Sequence, residues 1–176
     1  MAVKQSYIGL CDVQLSPSAA SYRYLSTGVQ PGINLLHMIR SCALTGNPAK
    51  ARVVLKNYGN TPAFLESQAL GIYVGLSLPL EPNYSPFAYD LEPENIVEPA
   101  AQYTFHGIRP LHNSEQISAI IEQRTFLWVY GYVQYKDFLG ARHITRFCKQ
   151  LLFSTLKNDH YQFSEGAVPP RYLESA

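Results

Sequence analysis

The segment Tyr135–Cys148, YKDFLGARHITRFC, places Lys136, Asp137, Arg142, His143, Arg146 and Cys148 within fourteen residues. Three chemistries use such residues. A Cys–His pair can act as nucleophile and base. His, Cys and Asp can hold a metal. Lys and Arg can bind a carboxylate. The first two need the side chains on one face, within about 3 Å for nucleophile and base. In an extended strand, neighbouring side chains point to opposite faces. His143, Thr145 and Phe147 then share one face, and Arg142, Ile144, Arg146 and Cys148 share the other. The spacing therefore disfavours a Cys–His pair or a metal site. It favours a hairpin whose tip carries Lys136, Asp137 and Arg142, with Arg146 further along. Asp137 either pairs with Arg142 across the turn or caps backbone amides, and Gly140 supplies the turn conformation. Arg142 and Arg146 offer charge-assisted contacts to a carboxylate-bearing partner.

A second candidate lies at 77–100, SLPLEPNYSPFAYDLEPENIVEPA. Five prolines there predict an irregular excursion. Glu81, Asp90, Glu92, Glu94 and Glu98 could supply acid–base pairs or oxygen ligands, but Pro93 interrupts the calcium-loop spacing. Tyr84, Phe87 and Tyr89 are residue types favoured at contact surfaces. A third stretch, NYGNTPA at 57–63, reads as a structural turn. Asn57, Asn60 and Gly59 tolerate left-handed backbone, and Pro62 fixes its own φ. No phosphate loop, dinucleotide fingerprint, H-E-x-x-H, EF-hand loop or G-x-S-x-G is present. The histidines 37, 106, 112, 143 and 160 lack zinc-ligand spacing, although His106 and His112 bracket GIRPL. The reading assigns no catalytic residue, metal or cofactor.

The balance of charges narrows the partners. A net charge of +1 gives neither the basic excess of a nucleic-acid binder nor a reason to adhere to an anionic membrane surface. Cys11, Cys42 and Cys148 are widely spaced and odd in number, which argues against a disulfide framework and for buried thiols. Ser6, Gly9, Asp12 and Gln14 interrupt any signal-peptide core, and no window reaches the roughly 18 apolar residues of a membrane span. The expectation is a soluble chain with a protein partner; the sequence does not fix oligomeric state.

Elements must position these residues. A content of 13 Tyr and 12 Pro against only 15% charged residues suits strands and ordered loops. Residues 6–15 read as a strand kinked near Asp12 and ended by Pro17; 33–44 could be helix or strand. In 50–57, Arg52, Val54 and Lys56 alternate with Val53, Leu55 and Asn57, as a strand requires. A second strand leaves from Ala63. Residues 101–112 predict a strand with Tyr103, Phe105 and Gly107 on one face. Residues 113–124 predict a short helix, capped by Asn113 or Ser114 and closed by Arg124, with Ile117, Ile120 and Ile121 on one face. Residues 125–137 and 141–155 are long strands joined as a hairpin. No alternating strand–helix rhythm appears. The pieces, six to eight strands and one helix, predict one β-sandwich over 1–156, immunoglobulin-like, with a loose tail at 157–176.

Two motifs together carry a resemblance. VVLKNYGNTPA (53–63) and VYGYVQYKDFLGARHITRFC (129–148) resemble the C-terminal domain of a group of uncharacterised bacterial proteins. Asn57, Gly59, Thr61, Pro62 and Ala63 match that group's first motif. Gly131, Tyr135, Asp137, Gly140, Thr145, Phe147 and Cys148 match its second. The resemblance covers about residues 50–150 and implies a β-sandwich without assigned chemistry. It also implies membrane helices ahead of the domain, which nothing before Lys50 here could form. We read the chain as a non-catalytic binding module. The alternatives are a hydrolase using Cys148 with His143 or acidic residues of 81–98, and a structural piece of a larger assembly.

Overall fold

The computed structural model describes residues 8–17, 49–109, 114–153, 161–164 and 168–173. Nine strands are seen among them: β1 (Ile8–Pro17), β2 (Ala49–Asn57), β3 (Ala63–Gly75), β4 (Ala88–Asp90), β5 (Ile96–Val97), β6 (Gln102–Arg109), β7 (Phe126–Lys136), β8 (Arg142–Phe153) and β9 (Tyr161–Ser164). One helix, α1 (Ser114–Ile121), joins β6 to β7. All pairings are antiparallel. The first sheet runs β1-β2-β6. The second runs β4-β3-β7-β8-β9, with β5 also on β3.

Alternation builds the core between the sheets. Val53 and Leu55 of β2 and Phe105 of β6 point inward from the first sheet. Leu70, Ile72, Leu127, Val129, Val133, Tyr135 and Phe147 meet them from the second. Ile117 and Ile120 of α1 close one part of this core. Each fully buried aliphatic side chain contributes about 1.5–3 kcal/mol, so this layer dominates stability. β1 bends where its pairing shifts register between Leu10 and Asp12, which is the predicted kink. Thr145 Oγ1 donates to Ile8 O at 2.8 Å, tying β1 to β8.

Two glycines let strands carry large rings. Tyr130 lies over Gly71, where a Cβ would come within 2.7 Å of the ring. Phe147 lies over Gly131, where a Cβ would be 2.7 Å from the ring and 2.2 Å from Ala69 O.

The outer face of the second sheet holds another apolar cluster: Trp128, Tyr130, Cys148, Leu78 and Tyr172. This corrects two expectations. The 77–100 excursion is not irregular throughout: β4 and β5 pair with separate stretches of β3, and Leu78, Tyr84 and Phe87 pack on the sheet. The 157–176 stretch is not loose where described: Tyr161–Ser164 pair with β8, and Tyr172 is 1% exposed. The helix ends at Ile121, before Arg124, which instead pairs with Glu122 on the surface. The 33–44 segment, Cys42 and His112 lie outside the described residues.

Candidate functional site

The β7–β8 hairpin ends in a turn built by one carboxylate. Gly140 N donates to Asp137 O and Asp137 N to Ala141 O, each at 3.0 Å. Gly140 has φ +85°, as a three-residue hairpin loop with a glycine bulge requires. The Asp137 side chain points inward, 2% exposed as a residue. Its Oδ1 accepts from Leu139 N and Ala141 N at 2.9 Å each. Its Oδ2 lies 3.2 Å from His143 Nε2. Desolvation pushes this carboxyl's pKa upward; the hydrogen bonds from His143, Ala141 and Leu139 outweigh it and hold the group below the usual aspartate range. Of the two roles read for Asp137, capping amides is the one realised.

Arg142 finds a different partner. A register shift between Leu65 and Ser67 swells β3 at Glu66. The Glu66 carboxylate receives Lys136 Nζ at 2.5 Å, Arg142 Nε at 3.0 Å and Gln134 Nε2 at 3.3 Å. Lys136 is the largest influence on it. Partial desolvation works upward, Arg142 adds to the lowering, and the net pKa is depressed. Arg142 remains 66% exposed, so this pair is a surface pair of small energetic worth. Two cations and one anion leave the cluster with a positive balance.

Both exposed apolar residues of the turn sit beside this cluster. Phe138 is 45% and Leu139 68% exposed. Register places Phe64 opposite both Lys136 and Ile96, and both apolar residues are exposed. Tyr58, also exposed, lies on the turn feeding β3 at the same end. Five of the nine exposed large hydrophobic residues among the described residues therefore gather at one end of the sandwich. Sequence reading missed Phe138, Leu139, Phe64, Ile96 and Glu66.

The 57–63 turn at this end is structural, by a mechanism other than left-handed backbone. Positive φ occurs among the described residues at Ala100, Gln123 and Gly140, not at Asn57, Gly59 or Asn60. Instead the Asn57 side chain is fully buried. Its Nδ2 donates to Thr61 O at 2.8 Å and Val97 O at 2.9 Å, and its Oδ1 accepts from Gly59 N at 2.9 Å. One amide thus ties the turn, β2 and β5 together, with half-buried Pro62 leading into β3.

The remaining predicted residues fall elsewhere. Tyr84 and Phe87 turn inward: Tyr84 meets Tyr130 at 5.7 Å and Tyr132 at 5.0 Å, and Phe87 meets Tyr130 at 6.5 Å. Burial pushes the Tyr84 phenol upward, partly opposed by nearby Arg146. Arg146 is half-buried, opposite Tyr132 on the sheet's outer face and away from the tip. Tyr89 alone of the three aromatics is exposed, and it accepts a hydrogen bond from Gln68. Cys148 is 0% exposed, and burial pushes its thiol up to about 12. His143 stacks on Tyr135, a residue of the inter-sheet core, so Cys148 and His143 lie on opposite faces. Glu81 pairs with Arg171, and Glu92, Glu94 and Glu98 are exposed. Among the described residues, no three His, Cys, Asp or Glu side chains gather as metal ligands, and no helix is long and apolar enough to cross a membrane.

No protein-family model and no curated protein matches the chain. Among solved structures it is similar to the X-ray structure of Northeast Structural Genomics Consortium target SoR45, at 12% identity and a TM-score of 0.38. The match covers 85% of this chain and 89% of that one.

Proposed function

We propose that this chain is a non-catalytic binding module that engages a protein partner through the β7–β8 end of its sandwich. The observation that carries this reading is the pinned turn. Asp137 spends a buried carboxylate on fixing a loop whose two apolar side chains, Phe138 and Leu139, face solvent. A rigid exposed apolar pair loses little conformational freedom on binding. Covering what remains exposed of each is worth on the order of 1–2 kcal/mol. Phe64, Ile96 and Tyr58 extend the apolar surface at the same end, and Arg142 gives its rim a positive group suited to a partner carboxylate. Strand order supports an immunoglobulin-like type for the sandwich: three strands in one sheet, and in the other a central β3-β7-β8 run with the edge pieces β4 and β5. The hydrolase alternative loses support from the burial of Cys148 and its separation from His143.

The test compares immobilised wild type with a Phe138→Ser, Leu139→Ser variant whose circular dichroism matches wild type. Both are exposed to lysate of the source organism. A protein retained by wild type and lost by the folded variant supports the reading. Equal retention by both sinks it.

A further inference from the structure

The outer face of the second sheet carries a segment held in the manner of a bound peptide. In Val168–Leu173, Pro169 has φ −58° and ψ 139°, the polyproline-II conformation. Pro170–Tyr172 then make one 3₁₀ turn. Tyr172 is 1% exposed, while Pro170, Arg171 and Leu173 on either side are exposed. Tyr172 is thus the one fully buried residue of the segment, with Val168 partly buried against the same cluster. Its ring meets Tyr130 edge-on at 5.4 Å and 80°. Leu78, Trp128 and Cys148 complete the buried socket, and Tyr73 packs at its margin. The Tyr172 hydroxyl donates to Pro79 O at 3.1 Å. At the rim Arg171 pairs with Glu81, both well exposed.

A proline-preset backbone, one aromatic anchor in an aromatic-lined socket and a charge at the rim are the means by which separate domains take proline-rich ligands. We propose that this face is a recognition site for a Pro-Pro-x-Tyr segment, filled in cis by Pro169–Tyr172 and able to take the same segment from a second copy of the chain. Specificity has two sources. The socket accepts a ring that ends in a hydroxyl, because Pro79 O would otherwise lose that donor. The preset proline backbone leads the ring in with little entropy to lose. This site is separate from the hairpin end and does not depend on the reading of that end.

The test uses the full chain. Cys148 lies in the socket cluster, so its alkylation, located by peptide mass mapping apart from Cys11 and Cys42, reports whether the socket is filled. In Tyr172→Ala the labelling rate should rise at least about tenfold, the factor a loss of 1.4 kcal/mol produces. Added peptide Val-Pro-Pro-Arg-Tyr-Leu should restore protection and bind measurably by calorimetry; Val-Pro-Pro-Arg-Ala-Leu should do neither. Should Tyr172→Ala lose its fold, Arg171→Glu replaces it. That change turns the exposed Glu81 pair into a repulsion and leaves the socket intact. It should give a smaller labelling rise that the tyrosine peptide reverses. Labelling that stays at the wild-type rate in the folded variant overturns the proposal. So does labelling that rises but does not fall when the peptide is added, since the segment is then an inseparable part of the sheet's packing.

Discussion

Asn57→Ala is the sharpest test of how the hairpin end is held. The change removes three hydrogen bonds made by one fully buried side chain: two to the carbonyls of Thr61 and Val97 and one from Gly59 N. Two of these are buried and one is part-buried. A typical hydrogen bond contributes about 0.5–1.5 kcal/mol net, and a buried group left unpartnered costs about 1–3 kcal/mol. Taken together, about 3 kcal/mol of stability should be lost. With a urea m-value of about 2 kcal/mol/M, the unfolding midpoint should fall by about 1.5 M. Asn57→Asp separates the donor from the acceptor role. It keeps an oxygen for Gly59 N but sets a second oxygen, and a charge, against two carbonyls. The Asp variant should therefore be at least as destabilised as the Ala variant. A loss below about 0.5 kcal/mol for Asn57→Ala, the range of ordinary surface changes, would refute the reasoning. An Asp variant as stable as wild type would refute the donor assignment.

Other expectations follow from the same geometry. Gly131→Ala should be worse than Gly71→Ala, because its Cβ meets a backbone oxygen that cannot swing away. The Gly71 change should cost about 1–3 kcal/mol and the Gly131 change more, measured by thermal unfolding. Glu66 and Asp137 are held below their ordinary values of 4.5 and 3.8. A depressed carboxyl adds stability above its unfolded pKa and loses it as pH falls through the folded value. Urea midpoints at about pH 6 and about pH 3 should thus differ less in Glu66→Gln and Asp137→Asn than in wild type. Iodoacetamide at about pH 8 should leave Cys148 of the folded wild type unmodified and label it after unfolding. Phe138→Ser with Leu139→Ser should shift stability by no more than about 0.5 kcal/mol per site, since both side chains are exposed.

Sequence reading reached the parts of this fold that carry a period. Alternation in 50–57 and in 125–155 gave β2 and the β7–β8 hairpin, and Gly140 marked the turn. The kink near Asp12 was legible for the same reason. What failed had no local signal. β4 and β5 have three and two residues, too few to show alternation, and the prolines of the surrounding 77–100 segment suggested only irregularity. The Glu66 cluster exists because β3 lies beside β7 with a bulge, and strand adjacency is not written in either strand alone. Tyr172 is a lone anchor in a polar, proline-bearing stretch, so no periodicity announces its burial. Asn57 was identified as a turn residue, but turn propensity suggested backbone conformation where the side-chain amide does the holding.

The glycine–aromatic contacts of β7 bear on how the chain finds its alignment during folding. A one-residue slip of β7 would exchange its two faces, taking Leu127, Val129 and Val133 out of the inter-sheet core and putting Trp128 and Tyr130 in their place. A two-residue slip keeps every side chain on its proper face, so polarity cannot reject it. Size can. In native pairing Tyr130 faces Gly71 and Phe147 faces Gly131. Shifted by two, Tyr130 would face Ala69 or Tyr73, and Phe147 would face Val129 or Val133. Tyr130 and Phe147 would then each meet a side chain where each now meets a gap, while Gly71 would come to face Trp128 or Tyr132 and Gly131 would face Thr145 or Lys149. The central strand is thereby indexed against both neighbours at once, and the in-phase misalignments that an all-antiparallel sheet is prone to sample are penalised from two sides.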